Sequence, residues 1–425
     1  MTAPLWRNRE FNLLWTGQAL SELGDGVALL AMPLLVLALT GSPVAAGLVG
    51  TAAGVARLLC RLPVGVVVDR VNRRRAMIVS DLIRLGAFAG VGAAILLDRV
   101  TLPIIVALAV VDAICGSLFG TAEHAALRSI VPVAQLPLAM ARNEARSHGT
   151  SLAAPPLGGF LFSLAHFLPF LGNAISYLAS LIGILLIRKP LQSRAGREEG
   201  EGGYAAAIGE GLRFVLTNPF LRAVVIISAP LNFALTGVTF AIVVTLQRNG
   251  TAPAVIGVAG TLVAAGGLLG AVVAPVFQRR LSLAALGRLI CWAATLLLGV
   301  SALLTSSIAA AVPLALVVFL GPACNAALFG HQAAITPDRL QGRVLSVMFL
   351  VSNSAAALAP VLVGVMVSSW SGAAAIAVCT GTVGISALVA TFGSGLSTVP
   401  APVEDAREED HQQPVASWQG RDGQP

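Results

Sequence analysis

The stretch TLPIIVALAVVDAICGSLFGTAEHAA (Thr101–Ala126) sets the fold class. It stays apolar for longer than the roughly 20 residues a helix needs to cross bilayer hydrocarbon. Its only acids are Asp112 and Glu123. Lipid offers backbone N–H and C=O groups no partner, so a lone segment of this kind is stable there only as a helix. Eleven further runs of the same character occupy 11–39, 43–68, 76–97, 140–165, 168–187, 220–246, 254–276, 284–306, 309–330, 342–368 and 372–395. Composition agrees: 56% of residues are hydrophobic and 11% charged, where soluble domains carry about 25% charged. The mean hydropathy is +0.85. The reading is an all-α membrane protein of twelve transmembrane helices.

The formal charge of +7 comes from 26 arginines and one lysine, Lys189, against 20 acids. These charges sit in short loops between apolar runs, which excludes a nucleic-acid surface. With a cytoplasmic N-terminus, 22 of the basic residues fall on inner loops and tails and only Arg99 and Arg248 on outer ones. Positive charge accumulates on the cytoplasmic side, so both termini are expected there. The Arg-rich, Lys-poor usage points to a GC-rich bacterial genome, hence a bacterial cytoplasmic membrane. The five cysteines lie inside spans with no metal-ligand spacing and read as small core residues.

The longest inner connection divides the chain. Residues 1–189 form a first six-helix bundle. Residues 190–219 hold a polar, Gly-rich linker, QSRAGREEGEGG, and then an amphipathic stretch, YAAAIGEGLRFVLTNPFLR, expected to lie at the interface. Residues 220–395 form a second bundle, and 396–425 an acidic, Pro-containing tail expected to be disordered. At an offset of 205, Gly65 pairs with Gly270, Pro132 with Pro337, Pro155 with Pro360 and Gly159 with Gly364. Four coincidences at one offset indicate a duplicated, pseudo-symmetric pair of six-helix bundles.

The loop after the second span reads GVVVDRVNRRR (Gly65–Arg75). It resembles the cytoplasmic signature of the major facilitator superfamily, Gly-x-x-x-Asp-Arg-x-x-Arg-Arg. Parallel six-span repeats with a substrate site near the midplane are the plan of that fold. In the signature Gly65 permits close helix approach, and Asp69, with Arg70, Arg73 and Arg74, makes a cytoplasmic gating clasp. The second-half counterpart GAVVAPVFQRR has Ala274 in place of the acid. In the fifth span, GTSLAAPPLGG resembles the motif of drug–proton antiporters of the superfamily through Gly149, Ala154, Pro155, Gly158 and Gly159, with Ala154 replacing a glycine. That resemblance implies export; an ordinary packing kink is the plainer alternative. Together with WRNREFNLLWTGQALSELGDG at the start and PDRLQGRVLSV before the eleventh span, the chain resembles the macrolide-efflux and enterobactin-exporter branch over about residues 5–395.

A charge at the bilayer centre costs about 2.5–3.5 kcal/mol on insertion scales, so each buried one needs a reason. Glu22, Asp25, Arg57 and Asp112 fall near mid-span; Arg61, Asp81 and Arg84 fall nearer the cytoplasm. All the intramembrane acids lie in the first half. A proton-coupled carrier needs a carboxyl that titrates between states, which makes Asp25, Glu22 and Asp112 the proton-coupling candidates. Each also has a structural reading. Asp25, within Gly24-Asp25-Gly26, suits a helix break, and Asp112 suits a neutralising pair with Arg57. Arg57 and Arg61 either face an anionic substrate group or pair with Asp112 and Asp81. Asn325, Ser352 and Asn353 are uncharged cavity candidates in the second half, or helix glue.

No phosphate-cradling Gly-x-x-x-x-Gly-Lys-Ser/Thr loop is present, and no catalytic constellation stands out. The resemblance implies a monomeric transporter, not an enzyme, moving protons and a small amphipathic molecule among membrane lipids with no cofactor or metal. Import, lipid translocation and membrane sensing are the rival functions.

Overall fold

The computed structural model describes residues 4–191 and 204–393. The Gly-rich linker and the acidic tail lie outside the described residues. The described chain is helical without a strand. The first bundle comprises α1 (Arg9–Thr40), α2 (Pro43–Arg70), α3 (Arg73–Leu96), α4 (Leu102–Ile130), α5 (Leu136–Leu164) and α6 (Leu168–Leu186). A shorter helix, α7 (Tyr204–Thr217), precedes the second bundle. That bundle comprises α8 (Pro219–Arg248), α9 (Pro253–Arg280), α10 (Leu283–Leu303), α11 (Ala311–Ile335), α12 (Gln341–Ser369) and α13 (Gly372–Phe392). Eleven helices are long and apolar enough to cross a membrane. The twelfth, α5, carries Arg142, Glu144 and Arg146 in its first turns but packs among them at full length.

Local chemistry explains the boundaries. Asn8, Ser42, Asn72, Asn218, Ser282 and Ser371 cap the first turns of α1, α2, α3, α8, α10 and α13 by accepting backbone N–H groups. Pro43, Pro219 and Pro253 occupy first-turn positions where their missing N–H costs nothing. The first helix of each bundle is followed by a left-handed glycine, Gly41 (φ 64°) and Gly250 (φ 78°), a conformation that strains other residues.

We call the end where α1 begins the near end and the opposite one the far end. The bundles meet along two pseudo-symmetric seams, α2 on α12 and α5 on α9. In one, Gly47 lies under the Pro360 backbone and Gly364 under Pro43; in the other, Gly257 lies under Pro155 and Gly159 under Pro253. Small residues let backbones touch where lipid provides no hydrophobic drive. Among the described residues, four hydrogen bonds join the bundles: Gln247 to Leu34 O (2.9 Å), Ala254 N to Ser163 Oγ (3.2 Å), Thr261 to Leu152 O (3.3 Å) and Val361 N to Thr51 Oγ1 (3.1 Å). All lie in the far half. Toward the near end, the Arg61 guanidinium stacks 3.3 Å over the Phe349 ring of α12.

Two expectations are corrected. The repeat is real, but α2 and α9 run in register at 210, not 205, so Gly65 and Gly270 are not equivalent and Ala274 does not stand at Asp69's place. Nor does Gly65 serve a close approach, since a Cβ there meets nothing, whereas one at Gly270 would strike Phe319 of α11. The offset of 205 holds for α5 and α12. The amphipathic stretch is α7 only as far as Thr217, its end capping and opening α8; Glu210 docks α7 by pairing with Arg339 (2.8 Å) and with Arg343 of α12.

Candidate functional site

Asp25 sits midway along α1, and the helix runs through Gly24-Asp25-Gly26 without a break. The glycines serve packing: a Cβ at Gly24 would strike Asn173 and Ser176 of α6, and one at Gly26 would strike Ala154 of α5. Around Asp25 four helices place one polar cluster. Arg84 of α3 donates from Nη2 to Asp25 Oδ1 (2.7 Å) and from Nε to Asp112 Oδ1 of α4 (2.8 Å). Tyr177 of α6 donates to Asp25, lies 3.1 Å from Asp112 Oδ1, and places its ring 4.1 Å from the guanidinium. Asn173 bonds Tyr177 Oη (3.1 Å). The Arg84 side chain is 5% exposed, Asp25 35%.

One turn toward the near end is a second cluster of the same design. Arg146 of α5 donates to both oxygens of Glu22 (2.9 and 3.1 Å) and to Glu123 Oε1 of α4 (3.2 Å). Its side chain is 4% exposed. Each cluster is thus two carboxyls around one buried guanidinium. With every acid ionised, each holds one negative charge in excess, and removal from water makes that excess costly. Glu22 and Asp25, three apart on α1, share a face and line a cavity of about 210 Å³ with Gly26, Ser147, Thr150 and Ser151. Drug-sized ligands fill sites of roughly 300–1,000 Å³, so this opening suits a charged head group, or a proton, rather than a whole drug-sized molecule.

The three expected coupling acids therefore converge, but their partners differ from expectation. Asp112 and Asp25 share Arg84, and Arg57 takes no part: it is exposed, with no ion pair among the described residues. Arg61 stacks on Phe349 and does not pair with Asp81. Arg146 is a buried hub of α5 rather than a loop charge, and the exposed Glu144 faces His148. Sequence reading missed Arg84, Arg146, Tyr177 and Asn173 as site residues.

The motif positions fall as follows. Ala154, Pro155, Gly158 and Gly159 lie where α5 crosses both α1 and α9: Gly158 under Val27, Gly159 under Pro253, Pro155 against Gly257 and Gly260. A Cβ at Gly149 meets nothing. Of the near-end signature, Arg73 bonds Ala125 O (3.3 Å) and Leu191 O (3.5 Å), and Arg74 bonds Leu185 O (2.8 Å). Both tie ends of the first bundle together rather than bridging to the second. Arg70 is exposed, and the side chain of Asp69 lies outside the described residues. In the second bundle Ser352 is buried and its hydroxyl is hydrogen-bonded to that of Ser228 (2.6 Å), joining α12 to α8. Asn353 bonds its own helix at Phe349 O (2.9 Å), and Asn325 is exposed.

Comparison with known proteins accords with this geometry. The sequence profile of the Major Facilitator Superfamily matches residues 14–359. The multidrug efflux pump Tap of Mycolicibacterium fortuitum is 29% identical over 360 residues, 80% of this chain and 85% of its own length. A bacterial homolog of the human lysosomal transporter Spinster, inward-facing and occupied, shares the fold with a TM-score of 0.69 at 16% identity, over 94% of this chain and 100% of that one. A bacterial homologue of the iron transporter ferroportin, inward-facing, gives 0.69 at 16%, over 92% and 99%.

Proposed function

The chain belongs to the Major Facilitator Superfamily, and from that membership we propose that it is a proton-coupled exporter of a small amphipathic molecule in a bacterial cytoplasmic membrane. The observation that carries this reading is the cavity faced by Glu22 and Asp25, each tied to an arginine already shared with a second carboxyl. Such a wall attracts a cationic or protonatable group and repels an anion. A proton and a cationic head group then compete for the same excess charge, which is what exchange requires. Competition at one site is obligatory coupling when only one of the two can be bound as the bundles rock.

The distribution of arginines supports a cytoplasmic near end. The hydrogen-bonded far-end seams then hold the outer side together, which supports loading from the cytoplasm, the side from which an exporter loads. The likeness to Tap supports export, and the crossing of α1, α5 and α9 at Pro155–Gly159 supports a hinge there.

The test is efflux from energised cells expressing the chain, with ethidium, macrolides and siderophore-like compounds as probes, with and without a protonophore. Protonophore-sensitive export of a cationic probe is the expected result. Correctly inserted protein that exports none of them, or accumulates one inside the cell, would turn the reading to lipid translocation or import.

A further inference from the structure

Among the described residues, Asp81 is the one buried acid of the first bundle that neither cluster uses. It lies on α3, three residues and so nearly one turn from Arg84, on the same face. It is 0% exposed. Neither of its oxygens has a hydrogen-bond partner. The Ser180 hydroxyl faces it from α6, close enough to act as a donor, but completes no hydrogen bond in this structure. The other groups within electrostatic reach are Arg84 on its own helix, Asp25 on α1 and Cys115 on α4. Arg84 spends its Nε and Nη2 donors on Asp112 and Asp25.

A carboxylate sealed from water with no completed hydrogen bond on either oxygen is among the costliest groups a protein can bury, and such a group takes up a proton instead. We propose that Asp81 is a second proton station, which carries its proton in the conformation described here and exchanges Arg84 with Asp25 during the transport cycle. The inference rests on the proton-coupled reading above and deepens it. When a proton or a cationic head group neutralises Asp25, the guanidinium is released from that side. It then turns one helical turn along α3 toward Asp81. The Asp81 O–H bond breaks, both electrons stay on the carboxylate, the proton leaves to water at the near end, and Arg84 supplies the counter-charge. One proton gained at Asp25 is balanced by one lost from Asp81, so the buried charge is constant throughout.

Two measurements on the full-length protein test this. The first is infrared spectroscopy at neutral pH in H2O and D2O. The wild type is expected to show a protonated-carboxyl C=O band that shifts in D2O, and Asp81→Asn to lose it. Persistence of the whole band in Asp81→Asn would overturn the proposal even if export is protonophore-sensitive. The second uses proteoliposomes with ethidium. Asp81→Asn mimics the protonated form, so it is expected to keep ethidium–ethidium exchange while gradient-driven accumulation falls at least tenfold. Equal loss of both, as a merely structural acid would give, contradicts the relay. A wild type that shows the band but no gradient-driven transport would sink the coupled reading and the relay with it.

Discussion

The two bundles share a backbone plan and differ in charge. At an offset of 210, α3 corresponds to α10, and Asp81 and Arg84 stand opposite Cys291 and Ala294. At 205, Asp112 and Arg146 stand opposite Val317 and Val351. Cys291 and Ala294 are buried as completely as the charges they replace, and Val317 more so than Asp112. The second bundle therefore folds the same way with an apolar interior. Helix packing does not require the charged network, and its cost in the first bundle is borne for another reason. The seams teach the converse: Gly47 with Gly364 and Gly257 with Gly159 make matching contacts on both sides, so the gate is symmetric while the chemistry is not.

That contrast can be broken by substitution. The largest effect is expected at Arg84. Arg84→Ala leaves the partly exposed Asp25 and Asp112 together without counter-charge; losing one partner of a fully buried pair costs about 3–5 kcal/mol, and solvent access to the two acids puts the effect here at roughly 2–4 kcal/mol. Thermal unfolding of the purified protein should show it, whereas Cys291→Ala at the matching place should cost about 1 kcal/mol. Next come the seams. Gly47→Leu and Gly257→Leu should each destabilise by about 1–3 kcal/mol through overpacking, and by similar amounts; a marked difference between them would end the claim of a symmetric gate. Ser352→Ala removes one hydroxyl of the pair with Ser228, for about 0.5–1.5 kcal/mol in the same assay, with ethidium export unchanged. The smallest effect belongs to Arg61→Leu, which loses the stacking on Phe349, about 0.5–1 kcal/mol. It should show as slightly greater near-end accessibility to a thiol reagent.

Much of the fold is legible in the sequence because membrane spans leave a dense signal. The run 43–68 is α2 (Pro43–Arg70), and 372–395 is α13 (Gly372–Phe392). The site is only half legible. Depth along a helix can be counted, so Asp25, Glu22 and Asp112 stand out as buried acids. Partners cannot be counted, because they depend on how each helix is rotated about its axis and against its neighbours. Arg57 is the expected partner of Asp112, yet it is exposed without an ion pair among the described residues, and α3 presents Arg84 instead. The usable signal for Arg84 was its depth: it lies eleven residues into α3, about 16 Å at 1.5 Å per residue, which is mid-membrane. Tyr177 and Asn173 gave none beyond sitting at the middle of a short apolar helix.

The most direct test of the asymmetry is ethidium accumulation in proteoliposomes under an imposed pH gradient, comparing wild type, Asp25→Asn and Asn232→Ala. Coupling confined to the first bundle predicts that Asp25→Asn loses gradient-driven accumulation at least tenfold, while Asn232→Ala retains it; Asn232 stands on α8 opposite Glu22 at the 210 offset and donates to Ser352 O (3.2 Å). Undiminished gradient-driven accumulation in Asp25→Asn, or its loss in Asn232→Ala alone, would contradict the account.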